Sequence, residues 1–222
     1  MKIAGFSKTS FVDYPGKIAA VIFTPHCNMR CDYCHNKHIL SGYIPLIDEA
    51  EVFDHLEKRK GMISALVITG GEPTMQADLT EFIKKVKSLG LAVKLDTNGT
   101  DPKLIESLLD QNLLDYIAMD IKAPLEKYCE VAGTPIDIKA ISSGIALIKD
   151  RAPAYEFRTT FAPELNPDDI IEITKLIGDG KAYFLQQYRP NPGGLPAHPP
   201  QVLRDVAKRI VESGGVCEIR GL

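Results

Sequence analysis

Short apolar runs alternate along the chain with longer stretches of amphipathic pattern. An apolar run of about four to eight β-prone residues is typical of a strand that is buried on both faces of a parallel sheet. We therefore predict six strands, at Ile18 to Thr24, Ala65 to Thr69, Leu91 to Asp96, Tyr116 to Ile121, Tyr155 to Phe161 and Ala182 to Tyr188. Helical patterns fill the intervals and begin near Asp48, Asp78, Asp101, Pro124, Ile138, Pro167 and Pro200.

This alternation favours right-handed βαβ units around a parallel sheet. Six units are fewer than the eight of a closed barrel. The predicted fold class is therefore α/β, a partial (β/α)6 TIM-like barrel that is open on one side. Val216 to Ile219 is compatible with one more short strand. A chain of 222 residues with 45% apolar content and no linker-like segment is expected to form one domain, 1–222.

Polar residues follow the predicted strands. In parallel sheets of this kind, functional residues gather at the carboxyl ends of the strands. The segments that we expect there are Cys27 to Cys34, Gly70 to Pro73, Thr97 to Gly99, Asp120 to Lys122 and Arg189 to Gly194.

The charge balance excludes some function classes. Lys and Arg number 26 against 29 Asp and Glu, which gives a net charge of -3. Lys84, Lys85 and Lys87 form the densest basic cluster, in a pattern typical of a solvated helix surface. We therefore expect no nucleic-acid partner. The first residues lack the apolar core of a signal peptide and no apolar run approaches the ~20 residues of a membrane span, so we expect a cytoplasmic protein without a membrane partner.

Three of the five cysteines, Cys27, Cys31 and Cys34, lie within eight residues. Thiolates at this spacing can bind three irons of a cubane [4Fe-4S] cluster and leave the fourth iron open to a small molecule. A zinc site completed by His35 or His38 is the alternative. The two remaining cysteines, at positions 129 and 217, are isolated and are expected to pack as small apolar side chains.

The cysteine spacing, with Tyr33 before the last cysteine, resembles the cluster loop of radical S-adenosylmethionine (SAM) enzymes. Gly70-Gly71-Glu72-Pro73 is similar to the second motif of that superfamily. Two glycines allow close approach of backbone to a ligand, and a carboxylate can accept a charge-assisted hydrogen bond from an ammonium group. The resemblance implies a [4Fe-4S] cluster and SAM as cofactors, with the open iron bound by the methionine part of SAM.

Further segments are similar to the activating enzymes of glycyl-radical enzymes, above all the short activators of anaerobic ribonucleoside-triphosphate reductase and also the pyruvate formate-lyase activators. These segments are Phe11 to Gly16, Cys34-His35-Asn36, Leu95 to Gly99 and Met119 to Lys122. The resemblance implies that SAM is bound by Tyr33, Asn36, Gly70, Gly71, Glu72, Asp96 and Arg189. It also implies a Na+ or K+ site at Asp96, Thr97, Met119 and Asp120, and a partner contact at Asp13, Tyr14 and Gly16.

Tyr14 departs from the family pattern, which has glycine at that position. Asp96 and Asp120 have an alternative role, because each could bind ribose or pair with Lys94 or Lys122.

On this interpretation a flavodoxin or ferredoxin-type protein supplies an electron, SAM is cleaved, and the 5′-deoxyadenosyl radical removes hydrogen from a glycine of the partner. The protein is then an oxidoreductase in which no side chain acts as a general base, because the cofactor performs the chemistry. The alternatives are a radical SAM enzyme that modifies another peptide, RNA or a small molecule, and a zinc-stabilised binding protein without catalytic activity.

Overall fold

The computed structural model describes residues 1–40, 44–178, 182–190 and 192–222. Its centre is an eight-stranded sheet in which the strands lie in the order of the sequence. The strands are β1 Gly5–Ser10, β2 Ala19–Thr24, β3 Ala65–Gly70, β4 Ala92–Thr97, β5 Tyr116–Asp120, β6 Tyr155–Phe161, β7 Tyr183–Gln187 and β8 Glu218–Arg220. The α-helices are α1 Lys37–Leu40, α2 Glu49–Lys58, α3 Leu79–Ser88, α4 Pro102–Asp110, α5 Tyr128–Ala132, α6 Ile138–Arg151, α7 Pro167–Ile177 and α8 Pro200–Glu212.

The sheet is parallel from β2 to β8, and β1 pairs antiparallel to β2 with Gly5 opposite Phe23. The strands do not close into a barrel, since β1 and β8 are the two edges. The predicted open α/β architecture and its six central strands are confirmed, and β8 matches the short additional strand. We did not predict β1, because Gly5–Ser10 has a single large apolar residue and is mostly exposed or half-buried.

The two faces of the sheet bury different kinds of side chain. One face packs against the helices and contributes aliphatic and aromatic residues such as Ile68, Leu95 and Phe157 to the main core. The other, inner face carries a small apolar cluster near the amino ends of the strands, formed by Tyr14, Ala19, Val21, Ala65 and Val67. Polar and charged side chains occupy the inner face closer to the carboxyl ends, where the candidate site lies.

Side-chain caps fix several helix starts at the predicted positions. The Asp48 carboxylate accepts from the amide of Ala50 at 3.0 Å, and Asp101 caps α4 in the same manner. The segment that begins at Pro124 differs from its prediction, because a 3₁₀ turn precedes the five-residue helix α5. No helix within the described ranges is long and apolar enough to cross a membrane.

Candidate functional site

A cavity lies at the carboxyl ends of the central strands. Its wall contains eleven of the residues that the sequence assigned to cofactors: Cys27, Cys31, Tyr33, Cys34, Asn36, Gly70, Gly71, Glu72, Asp96, Thr97 and Asp120. Parallel strands deliver their following loops to one edge of a sheet, and this explains why residues so distant in sequence meet. The structure therefore brings together the cysteine loop and most of the predicted SAM-binding residues.

Neighbouring backbone holds the cysteine loop on two sides. Gly71 donates its amide to the carbonyl of Thr24 at 2.8 Å, and the amide of Glu72 donates to the carbonyl of His26 at 2.8 Å. On the other side the amide of Arg30 donates to the carbonyl of Ala132, also at 2.8 Å. The loop is thus anchored to the end of β3 and to the end of α5 through backbone groups.

The two glycines after β3 serve this loop-to-loop contact. A Cβ atom at Gly71 would lie 1.7 Å from the carbonyl oxygen of His26, and one at Gly70 would lie 2.4 Å from the amide nitrogen of Thr24. Gly70 also has a φ of 112°, which favours glycine. The two glycines thus allow close approach of the backbone that leads into the cysteine loop, and both also line the cavity, where their binding of SAM stays a prediction.

The three thiols are buried or half-buried and line the cavity. Burial raises the pKa of the Cys27 thiol to about 11, although the amide of Met29 donates to its sulfur at 3.4 Å. Burial also raises the pKa of Cys31, against the positive charge of Lys122. Binding of iron must therefore displace thiol protons, as is usual for thiolate metal sites.

The donor set fits an iron-sulfur cluster. Three soft thiolate ligands open into one cavity, and a cubane cluster takes each thiolate on a different iron. Within the described ranges, no three His, Cys, Asp or Glu side chains are grouped around one possible ion position. His35 and His38, the candidates for a fourth zinc ligand, are exposed.

Glu72 is buried, with 1% of its surface exposed, and neutral donors bind its carboxylate. Oε1 accepts from the amide of Thr74 at 3.1 Å, from the Thr74 hydroxyl at 2.6 Å and from the Thr97 hydroxyl at 2.8 Å. Oε2 accepts from the amide of Asn98 at 2.7 Å. Burial raises the pKa of Glu72 despite these hydrogen bonds. A nearby cation would therefore stabilise the ionised form.

Arg158 bridges two aspartates of the cavity wall, Asp96 and Asp120. Its Nη1 is 3.1 Å from Asp96 Oδ2, and its Nε is 2.8 Å from Asp120 Oδ1. Lys94 contacts Asp96 at 2.6 Å, and Lys122 contacts Asp120 at 3.2 Å. Burial acts to raise the pKa of Asp120, but Arg158 and Lys122 hold it well below its usual value. The alternative pairing of the aspartates with Lys94 and Lys122 is thus the arrangement found.

The other residues assigned to a cation have different partners in this structure. The Thr97 hydroxyl donates to Glu72, and Met119 is fully buried with its thioether against Gly99. The carboxylates of Asp96 and Asp120 already bind the Arg158 guanidinium. A monovalent cation at these four residues stays a prediction.

Asn36 and Tyr33 support the cavity wall. The Asn36 amide donates to the carbonyl of Gly70 at 2.8 Å, so it links the cysteine loop to the end of β3. Tyr33 is buried, with 6% of its surface exposed, and burial raises the pKa of its phenol. Arg189 is exposed and is absent from the wall of the cavity.

The predicted partner segment lies at the other end of the inner face. Tyr14 is 4% exposed and its ring is 5.6 Å from that of Tyr116, near the amino ends of the strands. Burial raises the pKa of Tyr14 to about 12. Asp13 and Gly16 are exposed. The Tyr14 ring packs against residues of β2 and β3, so the predicted partner contact, which stays a prediction, would involve the exposed residues of this segment.

Several residues of the cavity wall were not assigned to the site from the sequence, and Arg158 and Lys122 are the charged ones among them. Arg158 was not singled out at all, and Lys122 was considered only as a partner of Asp120. Arg158 could have been found from the pattern of β6, in which the charged residues Glu156 and Arg158 are two positions apart in an otherwise apolar and β-prone strand. Such charges must face each other or a polar cavity.

The profile of the radical SAM superfamily matches residues 21–177. The chain belongs to the radical SAM superfamily. The family implies SAM and a [4Fe-4S] cluster as cofactors.

Among its relatives, a protein of Methanocaldococcus jannaschii that is named as a candidate glycyl-radical enzyme activating enzyme is 38% identical over 195 residues, which cover 85% of this chain and 80% of the relative. The pyruvate formate-lyase-activating enzyme of Listeria monocytogenes is 35% identical over 123 residues, and the match covers 50% of this chain and 49% of that enzyme.

Among solved structures, Streptococcus suis SuiB bound to S-adenosylmethionine matches with a TM-score of 0.70 and 13% identity. The match covers 90% of this radical SAM chain and 52% of SuiB. This likeness shows the fold alone. The chain spans about half the length of SuiB and of the Listeria enzyme.

Proposed function

We propose that this chain is the activating enzyme of a glycyl-radical enzyme. The observation that carries the proposal is the meeting of the three-cysteine loop with the buried carboxylate of Glu72 in one cavity. The names of the M. jannaschii and Listeria relatives support the activating role. In chemical class the chain is then an oxidoreductase.

In this proposal Cys27, Cys31 and Cys34 ligate a [4Fe-4S] cluster, and SAM binds between them and the strand ends. The methionine part of SAM suits the cavity, because the negative charge of Glu72 has only neutral donors around it. The ammonium group would lie toward Glu72.

The cluster and SAM, when bound, supply a 5′-deoxyadenosyl radical after one-electron reduction. The protein orients the bound groups and excludes water from them. Glu72 fixes the strand ends beneath SAM through its four hydrogen bonds, and the Asn36 amide holds the Gly70 carbonyl in place. No side chain needs to transfer a proton.

The proposed target is a glycine Cα–H in a partner protein, most specifically anaerobic ribonucleoside-triphosphate reductase. The electron donor is proposed to be a flavodoxin or a ferredoxin-type protein. An unclosed sheet with edges at β1 and β8 is compatible with entry of a polypeptide loop from the side.

The direct test is anaerobic incubation of the cluster-loaded protein with SAM, a reductant and purified anaerobic ribonucleotide reductase. We expect a glycyl-radical signal in electron paramagnetic resonance, and none when the partner's radical glycine is replaced by alanine. SAM cleavage without a glycyl signal on any glycyl-radical enzyme would overturn the activating role. Protein that retains zinc and cannot cleave SAM would overturn the radical mechanism itself.

A small-molecule substrate is the second candidate. The observation that favours it is the burial of Tyr14, because a ring that packs against β2, β3 and Tyr116 is not exposed to a protein partner. Relatives that include a 7-carboxy-7-deazaguanine synthase of Thermoplasma acidophilum, 33% identical over 116 residues, act on small molecules by name. Tyr14→Gly should then leave SAM cleavage coupled to the small substrate but enlarge the range of accepted substrates.

A further inference from the structure

Asn98 lies directly after β4 and is 5% exposed. Its side chain reaches across to the cysteine loop, 71 residues earlier in the chain. The proposed function above gives this side chain no role. Its contacts nevertheless connect three parts of the site, namely the cysteine loop, the end of β3 and the end of β4.

The orientation of the Asn98 amide follows from its partners. Oδ1 accepts from the backbone amide of Thr100 at 3.1 Å and from the Thr100 hydroxyl at 2.7 Å. A backbone amide can only donate, so the atom that faces it must be the oxygen. The Nδ2 group of Asn98 must consequently point the other way, toward the cysteine loop.

Nδ2 has two protons and two acceptors there. It is 2.8 Å from Asn28 Oδ1 and 3.9 Å from the sulfur of Cys27. The Cys27 sulfur also lies 3.9 Å from Asn28 Oδ1, a contact that a thiol can donate and a thiolate cannot. Once Cys27 is an iron-bound thiolate, its sulfur only accepts, and the Asn98 N–H is the side-chain donor directed at it.

A closed ring of hydrogen bonds holds this donor in place. Asn98 donates to Asn28, Asn28 Nδ2 donates to the Thr100 hydroxyl at 2.8 Å, and that hydroxyl donates back to Asn98. The backbone amide of Asn98 is at the same time bound to Glu72 Oε2 at 2.7 Å. The ring is half-buried, and because both polar atoms of the Asn98 amide have partners in it, it favours one orientation of that amide.

Hydrogen bonds to cluster sulfurs stabilise the more negative, reduced state of an iron-sulfur cluster and so raise its reduction potential. We propose that Asn98 is a positioning residue that directs an N–H at the Cys27 sulfur, raises the reduction potential of the cluster and fixes the cysteine loop to the end of β4. This inference rests on the proposed ligation of the cluster by Cys27.

The test compares Asn98→Leu with Thr100→Val in anaerobically reconstituted protein. Asn98→Leu removes the donor at nearly constant volume, whereas Thr100→Val opens the ring but keeps the Asn98 amide and its backbone partner. The reduced fraction of the cluster is followed by electron paramagnetic resonance in a redox titration without SAM. For Asn98→Leu we expect a roughly tenfold smaller ratio of reduced to oxidised cluster at fixed potential, equivalent to about 59 mV for one electron. Thr100→Val keeps the donor but loosens its orientation, so its ratio should lie between those of wild type and Asn98→Leu.

Equal potentials for wild type and Asn98→Leu, with equal iron content, would overturn the role of Asn98. Wild-type protein that binds no cluster would instead overturn the proposed function. Should Asn98→Leu fail to retain a cluster, wild-type protein with ¹⁵N-labelled asparagine decides the question: a nitrogen hyperfine coupling to the reduced cluster supports the contact, and its absence contradicts it.

Discussion

Glu72 and Asp120 lie on the wall of one cavity, but their surroundings shift the pKa values of the two carboxyl groups in opposite directions. Neutral amide and hydroxyl donors bind Glu72, and burial raises its pKa. Two cations contact Asp120, and despite its burial they lower its pKa. The negative charge of Glu72 can therefore be neutralised by a bound ligand, whereas the charges of Asp96 and Asp120 are already neutralised by cationic side chains of the protein.

The difference indicates that Glu72 is available to bind a cationic group of a ligand, whereas the ion pairs of Arg158 with Asp96 and Asp120 stabilise the fold. A buried carboxylate without a cation gains most from an incoming ammonium group. A carboxylate already bound to a guanidinium gains little more, but removal of the guanidinium is costly. Four predictions test this division.

Cys31→Ala should have the largest effect, because it removes a thiolate on which both sides of the cavity depend for their ligand. We expect loss of the cluster and of all SAM cleavage. Iron and sulfide content and the visible absorbance of anaerobically reconstituted protein measure the first, and methionine release measures the second. Cys129→Ala is the matched control, because Cys129 is exposed and far from the cavity wall; equal behaviour of the two variants would refute the cluster assignment.

Arg158→Gln should strongly destabilise the fold, because it leaves Asp96 and Asp120 partly buried without their shared partner. Breaking a buried ion pair from one side costs about 3–5 kcal/mol. Urea unfolding measures the change. Arg151→Gln is the control, since Arg151 forms more exposed pairs with Asp110 and Glu106 and should change stability by only about 0–1 kcal/mol. Similar decreases in the free energy of unfolding for both variants would show that the ion pairs of Arg158 stabilise the fold no more than the exposed pairs of Arg151 do.

Glu72→Gln should weaken SAM binding about tenfold, or about 1.4 kcal/mol, because it removes the negative charge that faces the ammonium group. Calorimetric titration of the cluster-loaded protein gives the affinity. The exposed Glu81→Gln serves as a control for the same chemical change. An unaltered affinity in Glu72→Gln, with the cluster intact, would remove Glu72 from the proposed binding site.

The pH dependence of stability should differ in sign between the two sides. The lowered pKa of Asp120 contributes stability above its unfolded value of about 3.9, and this contribution is lost as pH falls through the folded value. The raised pKa of Glu72 acts oppositely, since stability falls as pH rises from about 4.3 through the folded value. Urea unfolding of the cluster-free protein across this range measures both slopes. Asp120→Asn should remove the loss of stability at low pH, and Glu72→Gln should remove the loss of stability as pH rises. The same dependence of unfolding free energy on pH in wild type and both variants would contradict these opposite pKa shifts.

The fold was predictable wherever burial on both faces of the sheet imposed continuous apolar runs. This applies to all strands from β2 to β7, whose bounds agree with the predicted runs within a few residues. The edge strand β1 has a single large apolar residue and is mostly half-buried or exposed, so its pairing with β2 depends on tertiary contact that no local pattern indicates.

The candidate site was predictable where residue type, spacing and strand end coincided, as for the three cysteines and Glu72. Arg158 escaped prediction because its role depends on two aspartates from other strands. The burial of the Tyr14 ring was not predictable for a related reason: a Tyr-Pro-Gly turn has the same local sequence whether its ring is exposed or packed against the sheet. The position of Arg189 likewise depended on a loop path that the sequence does not determine.

The contact between Gly71 and His26 has a consequence for how the site assembles. The amides of Gly71 and Glu72 are bound to carbonyls at the base of the cysteine loop, and no side chain can enter between the two segments. The segments must consequently open and close together, as one cooperative unit of local unfolding. Hydrogen exchange at the amides of Gly71 and Glu72 should therefore measure local unfolding of the cysteine loop, although neither residue belongs to that loop.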